Sequence, residues 1–142
     1  MKITDVKVLR ANRAVYCRIE TDEGIIGLGE SGAWGFLEAS ASAILVFRDY
    51  LIGKDPLDIE HHWQYLYRFS HFRGAAGMGA MSAIANARWD IAGKFYNVPV
   101  YKLLGGKCRD KVRVYNHTAG RTEDVLVANA IKGVEEGYTA LG

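Results

Sequence analysis

The sequence predicts an α+β fold: a three-stranded antiparallel meander plus helices, then a strand–helix–strand unit. Three observations carry this. Apolar residues alternate at period 2 in the first thirty positions, and from Phe36 to Tyr96 they recur at helical spacing. After Gly105-Gly106 a short β-type run, a helical run and a second β-type run follow in order.

Ile3, Val6, Val8 and Leu9 lie in the first β-type run, and Val15, Cys17 and Ile19 alternate with Tyr16, Arg18 and Glu20 in the second. Ala11-Asn12-Arg13 reads as the tight turn between them, because Asn tolerates positive φ. Asp22-Glu23-Gly24 makes the next turn and Ile25-Ile26-Gly27-Leu28-Gly29 the third strand.

The first helix is expected from Phe36 to Ile52, with Leu37, Ala41, Leu45, Arg48 and Leu51 along one line and Gly53 as its stop. Asp55-Pro56 predicts the start of a second helix, since Asp caps free N–H groups and Pro fits the first turn. That helix aligns Leu57, His61, Tyr65 and Arg68, with Ile59, Trp63, Leu66 and Tyr67 towards its apolar side, and ends before Gly74–Gly79. A third, alanine-rich helix is expected from about Met78 to Tyr96. It is apolar on most sides, which implies burial between layers, and Asn97-Val98-Pro99 ends it.

Val112–His117 reads as a strand, Thr122 as the cap of a helix running to about Glu136, and Gly137–Leu141 as the start of another strand. Such units belong to parallel sheets, and the sequence ends before a third strand.

With 18 Lys+Arg against 16 Asp+Glu, a net charge of +2, and 49% hydrophobic residues, the composition excludes intrinsic disorder. The basic residues are scattered rather than gathered in a stripe, so no nucleic-acid partner is expected. The longest uncharged apolar run, Ala43 to Phe47, is far short of a membrane span. MKITDVKVLR has no signal-peptide core, so the expected location is cytoplasmic. Cys17 and Cys108 form no CxxC and have no His or Asp partner in sequence; they read as core or surface thiols.

Gly27-Leu28-Gly29-Glu30-Ser31-Gly32 spells GxGxxG, but its strand belongs to a meander rather than a βαβ unit. Glu30 would also set a negative charge where a pyrophosphate should lie. His61 and His62, as neighbours, point about 100° apart on a helix and do not make an i, i+4 ligand pair; they read as solvated or capping. Arg73 precedes a glycine-rich stretch, where it can fork onto a substrate carboxylate or pair with an acidic side chain.

Several ordered segments carry a resemblance: Ile19-Glu20-Thr21-Asp22-Glu23-Gly24, Gly27-Leu28-Gly29-Glu30, Met81-Ser82-Ala83-Ile84, Trp89-Asp90-Ile91-Ala92-Gly93-Lys94 and Pro99-Val100-Tyr101-Lys102-Leu103-Leu104-Gly105-Gly106. With the meander, the three helices and the βα opening, they resemble the mandelate racemase/muconate lactonizing enzyme branch of the enolase superfamily. Arg73-Gly74 and Val114-Tyr115-Asn116-His117 look most like acid-sugar dehydratases of the mannonate and galactonate type.

The resemblance implies an enolase-like capping domain over residues 1–111, followed at 112–142 by the truncated start of a (β/α) barrel. It implies Mg²⁺-dependent proton abstraction beside a carboxylate in the intact enzyme, followed by loss of water from an acid sugar. Racemisation or cycloisomerisation in the same superfamily, or a non-catalytic capping or oligomerisation module, are the alternatives. In relatives the metal-binding carboxylates and the acid–base residues come from later barrel strands. No catalytic or metal-ligating residue is therefore expected in this chain, no cofactor is expected on the fragment, and it should be inactive alone. The expected partners are an acid sugar in the intact enzyme and either a second copy or the missing barrel.

By the same resemblance, glycines 27 to 32 would let a mobile loop fold over the barrel mouth. Trp34 in that loop closes over the sugar or packs under the first helix. His71 lies in a segment lining the mouth, beside Arg73. His117, at the end of the first barrel strand, matches a substrate-binding histidine of the dehydratases, if the alternation of Val112, Val114 and Asn116 with Arg113, Tyr115 and His117 turns it inward. Relatives carry an apolar residue where Arg88 stands, so its helix face is either more exposed here or holds a local polar network.

Overall fold

Strands β1 (Ile3–Ala11), β2 (Ala14–Thr21) and β3 (Ile26–Ser31) form one antiparallel sheet in the order β1-β2-β3, as the alternation predicts. Asn12 (φ 51°) and Gly24 (φ 76°) make the two turns in the left-handed region. Val15, Cys17 and Ile19 face the core. In β1 both Ile3 and Val6 point inward despite their odd spacing, because a bulge between Ile3 and Asp5 shifts the phase. The computed structural model describes residues 1–69 and 71–142, and the chain divides into two compact units, Met1–Gly106 and Lys107–Gly142.

The first unit continues with α1 (Leu37–Leu51), α2 (Ile59–Phe69), α3 (Gly74–Tyr96) and the single turn α4 (Val100–Leu103). Helix α1 buries Ser40, Ala41, Ile44, Phe47 and Leu51. Its inward face is rotated from the expected line, leaving Leu45 exposed and Arg48 at the surface, 2.9 Å from Asp5. Helix α2 starts later than Asp55-Pro56 suggests. The Asp55 carboxylate accepts from Leu57 N–H at 3.0 Å, closing a turn that precedes the helix rather than capping it.

Helix α3 starts earlier than expected, with Gly74, Gly77 and Gly79 inside it. The glycine-rich run does not break the helix; of its glycines, Gly79 packs closely on the sheet end, while Gly74 and Gly77 face open space. A Cβ on Gly79 would come within 2.7 Å of the side chains of Ser31 and Ala33. Asn97 closes α3 in the left-handed conformation (φ 54°), its N–H bonded to the last-turn carbonyls of Gly93 and Lys94.

The sheet and α1–α3 enclose a core built from Ile3, Val6, Cys17, Ile19, Ile44, Leu51, Leu66, Met81, Ile84 and Ile91, among others. Helix α3 lies against β3 at backbone distance. A Cβ at Gly27 would sit 2.7 Å from the Ile91 side chain and overlap the Ala87 carbonyl oxygen. The outer edge of β3 is closed by the same helix: Leu28 N–H donates to the Asp90 carboxylate (3.0 Å), and Lys94 Nζ donates to the Ile26 carbonyl (2.6 Å). Asp90 and Lys94 also pair with each other at 2.7 Å, so two side chains occupy a strand edge that would otherwise be free to recruit another chain.

In the second unit, α5 (Glu123–Glu135) is capped as expected by Thr122, whose hydroxyl accepts from Val125 N–H. The expected strands at 112–117 and 137–141 reduce to one parallel bridge, Asn116 to Leu141. Asn116 N–H donates to Ala140 C=O and Gly142 N–H to Asn116 C=O, both at 3.0 Å. Two segments with no further strand beside them have little to extend the ladder.

Candidate functional site

A cleft of about 660 Å³ lies between the β1–β2 turn, the end of β3 and the loop leading to α1. Its walls include Asn12, Arg13, Glu30, Trp34, Gly35 and Leu37. Gly35 (φ 83°) and the bonds Trp34 N–H to Gly32 C=O (2.9 Å) and Phe36 N–H to Ala33 C=O (3.0 Å) fold the loop tightly. That turn presents the indole outward: Trp34 is 83% exposed, which removes the reading that buries it under α1. An aromatic face, a guanidinium and a carboxylate in one cleft can stack on a polyol and bond its hydroxyls. In sequence Arg13 reads as a turn residue and Glu30 as a charge unfavourable to phosphate; the hairpin brings Arg13 across from the Trp34 loop.

Arg73 lies elsewhere. It precedes α3, donates from Nε to the Tyr67 carbonyl (2.5 Å), and stacks its guanidinium 4.0 Å from the Tyr67 ring centroid. Backbone and ring thus take the place of the acidic side chain considered for it. Arg73 lines a second, mainly apolar cavity of about 270 Å³ with Val46, Phe69, Phe72 and Met81. His71 is exposed and lines neither cavity. His117 is exposed in the second unit, its Nε2 3.2 Å from the Tyr115 hydroxyl. The single bridge at Asn116 positions this pair.

The glycine motif is structural at its first two positions. Gly27 and Gly29 are inside β3 against the α3 backbone, not in a lid, and Leu28 N–H is already bonded to Asp90. The motif therefore offers neither a mobile loop at those glycines nor a phosphate cradle. Gly32 and Gly35, with open space around them, carry the turn at the cleft.

The titratable groups perturbed by burial lie in the core. His62, expected to be solvated or capping, is 2% exposed, and its Nδ1 and Nε2 lie 2.9 Å from the Tyr50 hydroxyl and the Asp55 carbonyl. Burial lowers its pKa, with the Arg88 charge acting in the same sense. Arg88 is fully buried, which overturns the more exposed face considered for it. It donates to the carbonyls of Ile84 (3.4 Å) and Ile59 (3.2 Å), and one terminal nitrogen has no partner among the described residues. Burial brings its pKa down to about 10 and pushes the Cys17 thiol up to about 12. No spacing rule in the sequence links Tyr50, His62 and Arg88, which come from three different helices.

Among the described residues, no three His, Cys, Asp or Glu side chains converge into a metal site. Among the described residues no helix is long and apolar enough to cross a membrane.

Residues 3–105 match the N-terminal domain of mandelate racemase/muconate lactonizing enzyme. The chain is 41% identical over 141 residues to a D-galactonate dehydratase of Verminephrobacter eiseniae, covering 98% of this chain and 37% of the relative. It is 42% identical over 140 residues to a D-galactonate dehydratase of Pectobacterium atrosepticum, covering 97% and 37%. Among solved structures, an enolase from Pantoea ananatis with bound D-gluconate and Mg superposes with a TM-score of 0.87 at 41% identity, covering 99% of this chain and 35% of that one. A structure from Mesorhizobium loti gives 0.89 at 40% identity, covering 99% and 41%. The chain thus spans about 37% of the length of the curated relatives it matches. Its meander and packed helices are the N-terminal capping fold of the enolase superfamily, and the chain belongs to the mandelate racemase/muconate lactonizing enzyme family.

Proposed function

We propose that this chain is the N-terminal part of a Mg²⁺-dependent acid-sugar dehydratase, that it caps the active site, and that it is inactive alone. The observation that carries the reading is 41–42% identity to two D-galactonate dehydratases over 97–98% of the chain. The D-gluconate and Mg in the Pantoea ananatis structure support a sugar acid and that metal in the intact enzyme. The reaction removes the proton at C2 and expels the C3 hydroxyl as water; the resulting enol becomes a 2-oxo-3-deoxy acid.

In this reading residues 112–142 open the barrel that supplies the metal ligands and the acid–base groups. Trp34 lies over the sugar chain, and Arg13 and Glu30 bond its distal hydroxyls. His117 binds a substrate hydroxyl through a ring nitrogen. His71 and Arg73 are secondary contacts at the mouth. The cap associates with the barrel, in a homo-oligomer of the intact enzyme, in the cytoplasm.

The test fuses residues 1–142 to the remaining portion of the Pectobacterium atrosepticum relative and offers it galactonate, gluconate and mannonate with Mg²⁺ in D₂O. Dehydration leaves one deuteron at C3 of a 2-oxo-3-deoxy product. Exchange at C2 of an otherwise intact acid, without water loss, would point to racemisation and defeat the proposal. The isolated chain should release no product under the same conditions.

A further inference from the structure

Helix α2 is fastened to the rest of the first unit by buried groups whose charge is not balanced. His62 bridges α1, through the Tyr50 hydroxyl, and the turn before its own helix, through the Asp55 carbonyl. The carbonyl only accepts, so His62 Nε2 carries the proton and its Nδ1 accepts from Tyr50. Arg88 of α3 holds the first turn of α2 from the other side, by donating to the Ile59 carbonyl. The buried polar and charged residues of the described chain are Thr21, Ser31, Ser40, His62 and Arg88, with no Asp or Glu among them.

We propose that His62 is a proton-operated catch that releases α2 from α1 and α3 on mild acidification. The groups acting on it are Tyr50 from α1, Arg88 from α3, His61 on its own helix, and Asp55 and Asp58 in the turn before that helix. Burial, Arg88 and His61 oppose the proton, whereas the bond to the Asp55 carbonyl and the exposed Asp58 favour it. A second proton on His62 would bring a cation into the interior that already holds Arg88, with the exposed Asp58 carboxylate as its charge compensation. Because the folded pKa of His62 lies below its ordinary 6.5, the unfolded or opened chain takes the proton first. Stability from this group is complete above about 6.5 and is lost as pH falls through the folded pKa.

The experiment follows α2 in the full chain by hydrogen exchange between pH 7.5 and 5, corrected for intrinsic rate, with the His62 ring titrated by NMR. Opening of residues 59–69 should rise by up to ~10-fold per pH unit below 6.5, the limit for one proton. His62→Gln, which cannot titrate, should flatten that dependence, and Arg88→Met should reduce it by raising the folded pKa of His62. An equal pH dependence in wild type and His62→Gln would overturn the proposal. If His62→Gln does not fold, the wild-type ring decides: titration at or above 6.5 in the folded chain overturns it, and titration below supports it.

Discussion

Gly29 of β3 and Ala83 of α3 touch backbone to backbone: a Cβ on Gly29 would overlap the Ala83 carbonyl oxygen and lie 2.6 Å from the Ala87 nitrogen. Neither partner is a movable side-chain tip, so the helix must retreat from the sheet to admit even a methyl group. Gly29→Ala should therefore cost about 2–3 kcal/mol, as overpacking in a well-filled core does. Gly32→Ala, facing open space in the turn just after the same strand, should cost far less. Denaturant midpoints of the two variants measure the contrast; equal costs would deny that the motif serves helix–strand packing.

Arg88 offers a prediction of opposite sign. Its guanidinium is fully buried with two backbone acceptors and, among the described residues, no carboxylate partner and one unpartnered nitrogen. Replacing a poorly compensated buried charge with an apolar residue of similar length is often stabilising. Arg88→Met should raise stability by about 1–2 kcal/mol in chemical denaturation. A loss of comparable size would mean that the bond to the Ile59 carbonyl outweighs the desolvation of the charge.

The two thiols should separate cleanly. Cys17 is buried in β2 with its pKa pushed up to about 12, whereas Cys108 is exposed. The thiolate is the reactive form, so at pH 8 an alkylating reagent should label Cys108 alone in the folded chain and both thiols in denaturant. Mass spectrometry of the digested protein reads this directly. Rapid labelling of Cys17 under native conditions would show that β2 opens far more often than its burial allows.

The meander was legible because alternation, Asn12 and the Asp22-Glu23-Gly24 turn all state the same local geometry. Helix α3 was legible in type but not in its start, since Gly74–Gly79 has a local preference against helix, and only Gly79 of its glycines packs on Ser31 and Ala33. The face of α1 was misphased because Leu45 and Ile44 are equally apolar, and packing against the sheet and α3 selects Ile44. The candidate site was partly legible: Trp34 was singled out, but its pairing with Arg13 in one cleft depends on a hairpin contact that no linear spacing encodes. The core position of His62 was invisible for the same reason, since its partners come from α1 and the Asp55 turn.

His117 can be tested separately from the cap. In the fused enzyme, His117→Ala should lower kcat/KM for the preferred acid sugar about tenfold, the effect of losing one oriented hydrogen bond to the transition state. Tyr115→Phe, which removes the hydroxyl 3.2 Å from His117 Nε2, should have a smaller effect in the same direction. Unchanged kinetics in a well-folded His117→Ala protein would remove this histidine from the substrate site.

The central claim is that this chain forms the cap of an acid-sugar dehydratase, and complementation tests it most directly. The measurement compares kcat/KM on D-galactonate and D-gluconate for the intact Pectobacterium atrosepticum relative, its portion beyond the region matched here, and that portion fused to residues 1–142. Covering the site and orienting the substrate predict at least ~100-fold recovery in the fusion over the uncapped portion. A folded fusion that stays at the uncapped rate on both sugars, while the relative's own N-terminal portion restores turnover, would contradict the account.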